Sequence, residues 1–516
     1  MLQILSIAFC GVGDHLPLHN LLLRAAARGH NVTVGVENQT HCGSGIWPVP
    51  EELQSRFRFV EFGSLSAEPP ALANPCDTQS AWFSVLAATA SGSVSDFETT
   101  GLVMQRTLLP ILRPSSLWLH GAIKALPTTS NVVVVTHQMF SNAHDVAKLL
   151  GVAYVSLWMS AVDLNDLLGH LCGGLAIADL QASFWLRLQS LGCIATLVRH
   201  ADMGMLDPLR QALIVELGGK ASDLVSMMQL NSQVRQIVTA LPGFARPAAQ
   251  SPLITQVGPL VHSTEASPKL ASSDELHAST VLPFLLANAN NRVVVLAFGS
   301  TAVPPIPFVD ALVGGAAALL REHSDLRFLI AASFRAPDFE QALARLCGDA
   351  CQDRVVVARW IKQRAVISLP QVVAVGSHCG WGSLSEVLFF GKSVLAYPFM
   401  FDQHDNAQRA VEWGAALRID HKTANASQVA LALHQLISEP RFANAAKRFQ
   451  VAARFAGGVE RGVDVIEATA LLGISHLTPD RLVSFYDTIA FVVLLVAALL
   501  FGTFRCCRAL YARRSF

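Results

Sequence analysis

The sequence predicts an α/β protein of two similar halves. Each is a parallel sheet layered by helices, the two face a cleft, and one membrane-spanning helix follows at the C-terminal end. Three observations predict it. Strand and helix signals alternate in two series separated by a polar break, the chain is too long for one ordinary core, and a run near its end carries no charge.

The first series opens on the apolar Leu2–Cys10, which reads as a buried strand: no basic residue precedes it and no small-residue cleavage site follows, as a removable leader requires. Gly11-Val12-Gly13 then makes a turn, Leu18–Arg28 a helix capped by Gly29, and Asn31–Val36 a second strand. A strand–helix–strand start favours a Rossmann-like parallel sheet with helices on both faces. Asn131–Thr136, the helical Asn142–Leu150 and the strand Val152–Leu157 continue it. Gly11-x-Gly13 lacks the third glycine of a dinucleotide fingerprint, since Leu16 stands there.

The polar stretch Ser263–Glu275 reads as a linker. After it come a strand over Arg292–Phe298, a helix over Phe308–His323 and a strand over Leu326–Ala331, then short strands over Val355–Ala358, Val372–Gly376 and Val394–Tyr397. The expected division is 1–260 for the first half, 261–290 for the linker and 291–475 for the second half. A transmembrane helix over 485–505 and a basic tail over 506–516 complete it. Thr488–Phe504 is uncharged, Phe485 and Tyr486 extend it with interfacial aromatics, and Arg505, Arg508, Arg513 and Arg514 follow, placing the tail on the cytosolic side.

Of 516 residues 52% are hydrophobic and 15% charged, with zero formal net charge. That balance excludes the basic footprint of a nucleic-acid binder. The ten cysteines show no metal-like repeat. Cys347 and Cys351 lie four apart without a second Cys or His pair, so neither a zinc site nor a disulfide framework is expected.

From Trp360 to Asp420 the chain reads WIKQRAVISLPQVVAVGSHCGWGSLSEVLFFGKSVLAYPFMFDQHDNAQRAVEWGAALRID. This resembles the donor-binding signature of UDP-glycosyltransferases: W-x-P-Q, then H-C/G-G, a glutamate, and D-Q-x-x-N, with the spacing held throughout. The terminal apolar run and basic tail look like those of microsomal UDP-glucuronosyltransferases and their glucosyl relatives. The resemblance implies the GT-B fold and inverting, metal-independent transfer of a hexose or hexuronic acid from a UDP-sugar to a hydroxyl of a small lipophilic alcohol, sterol or lipid. The UDP-sugar is a co-substrate and no cofactor is implied.

It also implies roles. Trp360 stacks on uracil and Gln363 meets polar edges. Gly380, Trp381, Gly382 and Ser383 lie where a loop opens the helix expected over Ser383–Phe390, ready for the diphosphate with His378 and Ser300. Glu386 accepts from the two ribose hydroxyls, and Asp402 and Gln403 bond the transferred sugar. Read singly, each residue has a plainer explanation: a core tryptophan, a solvated glutamate, a turn. Lys362 replaces the pattern's proline and Gly382 an asparagine. The resemblance further implies a membrane-anchored body, single-pass in the endoplasmic reticulum.

A base is needed to take the acceptor proton. Relatives place it in the first strand-to-helix loop, here Gly13-Asp14-His15-Leu16-Pro17. Asp14 holds the register and His15 lies one place late, so both stand as candidates. The partner aspartate is missing, because Thr136 and His137 end that strand. The competing reading is a catalytically silent, membrane-anchored relative that binds a nucleotide sugar or lipid.

Overall fold

A computed structural model of the chain describes residues 1–8, 12–36, 49–62, 109–138, 140–159, 203–224, 233–244, 251–261, 281–286, 290–299, 302–332, 335–400 and 402–478. Met1–Leu472 form one compact unit and Gly473–Phe516 a second.

The strand Arg292–Ala297 shows why the sheets form. Val293, Val295 and Ala297 join one buried cluster while Val294 and Leu296 join another. Successive side chains of a strand point to opposite faces, so an unbroken apolar run fits a sheet covered on both sides. The first strand behaves likewise: Ile4 and Ala8 pack on one face, Leu5 and Ile7 on the other.

In chain order the first half comprises β1 (Gln3–Ala8), α1 (Val12–Ala27), β2 (Asn31–Val36), β3 (Phe57–Glu61), α2 (Leu109–Lys124) and β4 (Val132–His137). It continues with α3 (Ser141–Leu149), β5 (Ala153–Trp158), α4 (Met203–Glu216), β6 (Arg235–Val238) and β7 (Ile254–Gln256). Among the described residues these strands form a parallel sheet of order β3-β2-β1-β4-β5-β6-β7.

The second half comprises α5 (Leu282–Leu286), β8 (Arg292–Ala297), α6 (Ile306–Glu322), β9 (Leu326–Ala331), α7 (Ala336–Leu346), β10 (Val355–Ala358) and α8 (Gln363–Ile367). Then follow β11 (Val372–Ser377), α9 (Trp381–Phe389), β12 (Ser393–Ala396), α10 (Gln403–Glu412), β13 (Ala416–Arg418), α11 (Ala426–Ser438), α12 (Pro440–Ala456) and α13 (Gly458–Leu472). Its parallel sheet has the order β10-β9-β8-β11-β12-β13. In each sheet the order reverses beside the first strand, between β1 and β4 and between β8 and β11. Such switch points are where open α/β sheets bind ligands, outside the carboxyl ends of the strands.

The last described helix of the main unit crosses back. Val459, Val463, Val465 and Ile466 of α13 pack into the first sheet's cluster with Leu18, Leu21 and Leu22 of α1, and the Gly458 amide donates to the Val257 carbonyl at 2.8 Å.

Several expectations are corrected. Among the described residues no helix is long and apolar enough to cross a membrane. The longest, α6 and α12, have 17 residues and bury one face in the protein, whereas a span needs about 20 largely apolar residues. The expected transmembrane helix is not found among the described residues, which corrects that expectation and the single-pass endoplasmic-reticulum location drawn from it, and membrane contact is not shown. The run 485–505, the tail 506–516 and the linker stretch Ser263–Glu275 lie outside the described residues. Cys347 and Cys351 are joined by a disulfide. Helix α1 begins at Val12, earlier than the apolar pattern suggested, and carries Pro17 inside it. Gly11 and Gly13 read as a turn because glycine is a poor helix former, and Pro17, which cannot donate to the Gly13 carbonyl, weakens the helical signal further.

Candidate functional site

The site is assembled at the switch point of the second sheet. Leaving β8, the chain enters Gly299 with φ +63°; leaving β11, it passes Ser377 and His378. A Cβ on Gly299 would stand 2.5 Å from His378 Cε1, and one on Gly380 2.6 Å from His378 Nε2. The imidazole therefore lies between two residues that must lack side chains. It is buried, its Nδ1 has no hydrogen-bond partner, and burial pushes its pKa down to about 4. At neutral pH His378 is uncharged.

Cys379 then turns the chain with φ 63°, a left-handed conformation that costs a non-glycine residue of order 1–3 kcal/mol. Two bonds hold it. The Cys379 amide donates to Ser377 Oγ at 3.1 Å, and Asn406 Nδ2 donates to the Cys379 carbonyl at 3.0 Å. Asn406 also donates to Asp402 Oδ2 at 2.9 Å, fastening the start of α10 to the same turn.

Helix α9 begins at Trp381, two residues earlier than expected, with Gly380 as its N-cap and no side-chain cap bond. The first intrahelical bond runs from the Leu384 amide to the Gly380 carbonyl. The amides of Trp381, Gly382 and Ser383 thus have no helical partner, and the positive end of the helix opens at the switch point. The Trp381 indole does not join this cluster. It is buried, donates from Nε1 to Thr239 Oγ1 at 2.7 Å, and packs against Phe244 at 5.7 Å, tying α9 to the first half.

One turn along α9, Ser383 and Glu386 share a face, being three residues apart. Gln363, the first residue of α8, donates from Nε2 to Ser383 Oγ at 3.1 Å and to Glu386 Oε2 at 2.9 Å. Arg364 donates from Nε to Glu386 Oε1 at 2.6 Å. Trp360 sits in the loop before α8 with 51% of its surface exposed, so a ring can stack on it. Gln403 is buried. Its Oε1 accepts from the Phe399 and Met400 amides at 2.9 and 3.2 Å, bracing the loop that carries Asp402. Ser300 lies outside the described residues.

In the first half, Asp14 and His15 fall in the first turn of α1, directly after β1; their side chains lie outside the described residues. Thr136, where an aspartate was sought, shares a buried hydrogen bond of 3.0 Å with the Tyr154 hydroxyl. His137 is buried at the end of β4, and burial pushes its pKa down to about 3.

Sequence reasoning missed Gly299 and Arg364. Neither carried a signal in the sequence, because Gly299 meets the His378 ring and Arg364 meets Glu386 only across elements.

Two doubly wound sheets in one unit, with an open helix start at the second switch point, define the GT-B glycosyltransferase fold. The glycotransferase of kitacinnamycin shares it, with TM-score 0.59 at 19% identity over 92% of this chain and 99% of that one. So does Os79 from O. sativa, solved with U2F and trichothecene, with TM-score 0.60 at 15% identity over 91% and 100%. Residues 287–515, less than half of the chain, match the family model described as UDP-glucoronosyl and UDP-glucosyl transferase, and over that stretch the chain is similar to UDP-glycosyltransferases. UDP-glycosyltransferase 71A15 of Malus domestica is 35% identical over 183 residues, 33% of this chain and 36% of that one. The chain spans at most about half the length of the curated relatives it matches first, the longest match covering 52%.

Proposed function

We propose that the protein transfers a hexose or hexuronic acid from a UDP-sugar to a hydroxyl of a small lipophilic acceptor, with inversion and without a metal ion. The observation that carries this reading is the uncapped start of α9 beside a buried, neutral His378 held between two glycines. Three open amides and the positive helix end suit a diphosphate, and they stabilise the charge that grows on it as it leaves. They take the place a cation fills in other transferases. Trp360 offers its exposed indole to uracil, and Asp402 faces the transferred sugar. The acceptor hydroxyl gives its proton to Asp14 or His15 as its oxygen bonds the anomeric carbon and the bond to the diphosphate breaks. Os79, described with a trichothecene, is in keeping with a small apolar acceptor.

One observation favours the silent, nucleotide-sugar-binding alternative: Thr136, where the base's orienting carboxylate would stand, is committed to Tyr154. An isotope-traced screen of UDP-sugars against mixed lipophilic alcohols, read by mass spectrometry beside UDP-binding measurements, separates the two. Asp14→Asn should lower turnover roughly 10²–10⁴-fold while UDP affinity stays constant, with a smaller effect for His15→Ala. The reverse order makes His15 the base. UDP binding without transfer from any donor identifies a silent relative.

A further inference from the structure

We infer that Arg364 is a positioning residue of the donor site: it fixes the Glu386 carboxylate in the orientation that receives the ribose hydroxyls. The inference rests on reading Glu386 as the ribose acceptor and assigns a role to a residue outside the sequence pattern.

The geometry is specific. Arg364 and Glu386 side chains are 13% and 10% exposed, and their bond is 2.6 Å. A carboxylate offers about four lone-pair directions. Arg364 takes one on Oε1 and Gln363 one on Oε2, so each oxygen keeps acceptor capacity for one of two vicinal hydroxyls. Glu386 lies three residues past Ser383, about 4.5 Å along the helix from the last open amide.

A buried carboxylate without a cation is costly and free to rotate. A charge-assisted bond from a rigid guanidinium removes both problems. Helix stability does not explain the arginine. It stands in a helix of only five residues, and its partner Glu386 is on α9.

A merely structural ion pair and a positioning one differ in their dependence on the ribose. The experiment measures binding of UDP and 2′-deoxy-UDP to the full chain carrying Arg364→Gln, Arg364→Lys, Glu386→Gln or Arg364→Gln with Glu386→Gln. Arg364→Gln should weaken UDP binding about tenfold, the size of one charged hydrogen bond, and weaken 2′-deoxy-UDP much less, erasing the preference for the ribose. Arg364→Lys, which keeps the charge without the planar fork, should retain part of that preference and serves alone if the glutamine variant does not fold. In the Glu386→Gln background, Arg364→Gln should add no further loss of UDP affinity. Equal weakening of both nucleotides, or unchanged UDP affinity, overturns the proposal. If Glu386→Gln leaves the ribose preference intact, the donor-site assignment fails and the proposal with it. If Glu386→Gln abolishes the preference while both Arg364 variants keep it in full, the assignment stands and the role of Arg364 alone is overturned.

Discussion

His378 is a histidine that the fold keeps uncharged. Its folded pKa is pushed from 6.5 to about 4 by burial alone. Between those values the unfolded chain binds more protons than the folded one, so stability is full above about pH 6.5 and falls as the pH drops towards 4. From pH 7 to pH 5 this one group should cost about 2 kcal/mol. Asparagine does not titrate, so His378→Asn should lose less stability than wild type over that interval by about the same amount, measured by urea unfolding at both pH values. Identical acid sensitivity of the two proteins would mean that His378 is not held neutral. His137 adds a loss of the same sign in both proteins and cancels from the comparison. His378, Gly380, Ser383 and Glu386 were expected together because a pattern held over many positions is specific, and the structure gathers them around the start of α9. Gly299 and Arg364 were not, because their meaning lies in contacts across elements: a ring above one, a carboxylate before the other.

Strands were read more sharply than helix starts. Asn31–Val36, Leu326–Ala331 and Val355–Ala358 match β2, β9 and β10 residue for residue, since a short, largely apolar run bounded by polar or turn residues marks its own ends. Helix α9 begins before its expected start because Gly380 and Gly382 mask the helical signal. Gly380 is also required by its closeness to His378, which can be tested cleanly. Its φ of −55° and ψ of 136° suit any residue, so Gly380→Ala adds no backbone strain. The added methyl would meet His378 Nε2 at 2.6 Å. Either the ring or the loop must move. The variant should lose roughly 1–3 kcal/mol of stability, as overpacking does, and bind UDP at least about tenfold more weakly. Calorimetric titration with UDP and denaturant unfolding report the two effects separately. An alanine variant with wild-type UDP affinity would remove His378 and the α9 start from the donor site.

Within the Met1–Leu472 unit a late helix packs back on the first sheet, and nothing in the sequence pattern announced that. Helix α13 belongs by sequence to the second half, yet it packs on the first sheet beside α1, because its apolar stripe complements Leu18, Leu21 and Leu22 rather than a neighbour in sequence. The polar edge of this contact centres on Arg28, just past α1. Arg28 donates from NH2 to Glu460 Oε2 at 2.8 Å, and from NH1 to Asp464 Oδ1 at 2.7 Å and Glu467 Oε2 at 3.2 Å. His30 extends it, with Nδ1 accepting from the Leu2 amide and Nε2 meeting Glu467 at 2.8 Å. Isolated surface pairs contribute little, but one guanidinium shared by three carboxylates, with only 21% of its side chain exposed, forms a network whose removal leaves like charges facing each other. Arg28→Ala should therefore lose about 1–3 kcal/mol at low ionic strength. At about 1 M salt, where screening acts over about 3 Å, most of that difference should vanish. Arg28→Lys should fall between, keeping the charge but not the fork that reaches separate carboxylates. The measurement is the denaturant midpoint of the three proteins at low and high salt. Because α1 also carries Asp14 and His15, the proposed base candidates, the same variants should lower turnover more than UDP affinity, the residues proposed for the donor being mounted on the other sheet. An Arg28→Ala protein with an unchanged midpoint at low salt would show that the apolar contact alone holds α13 in place.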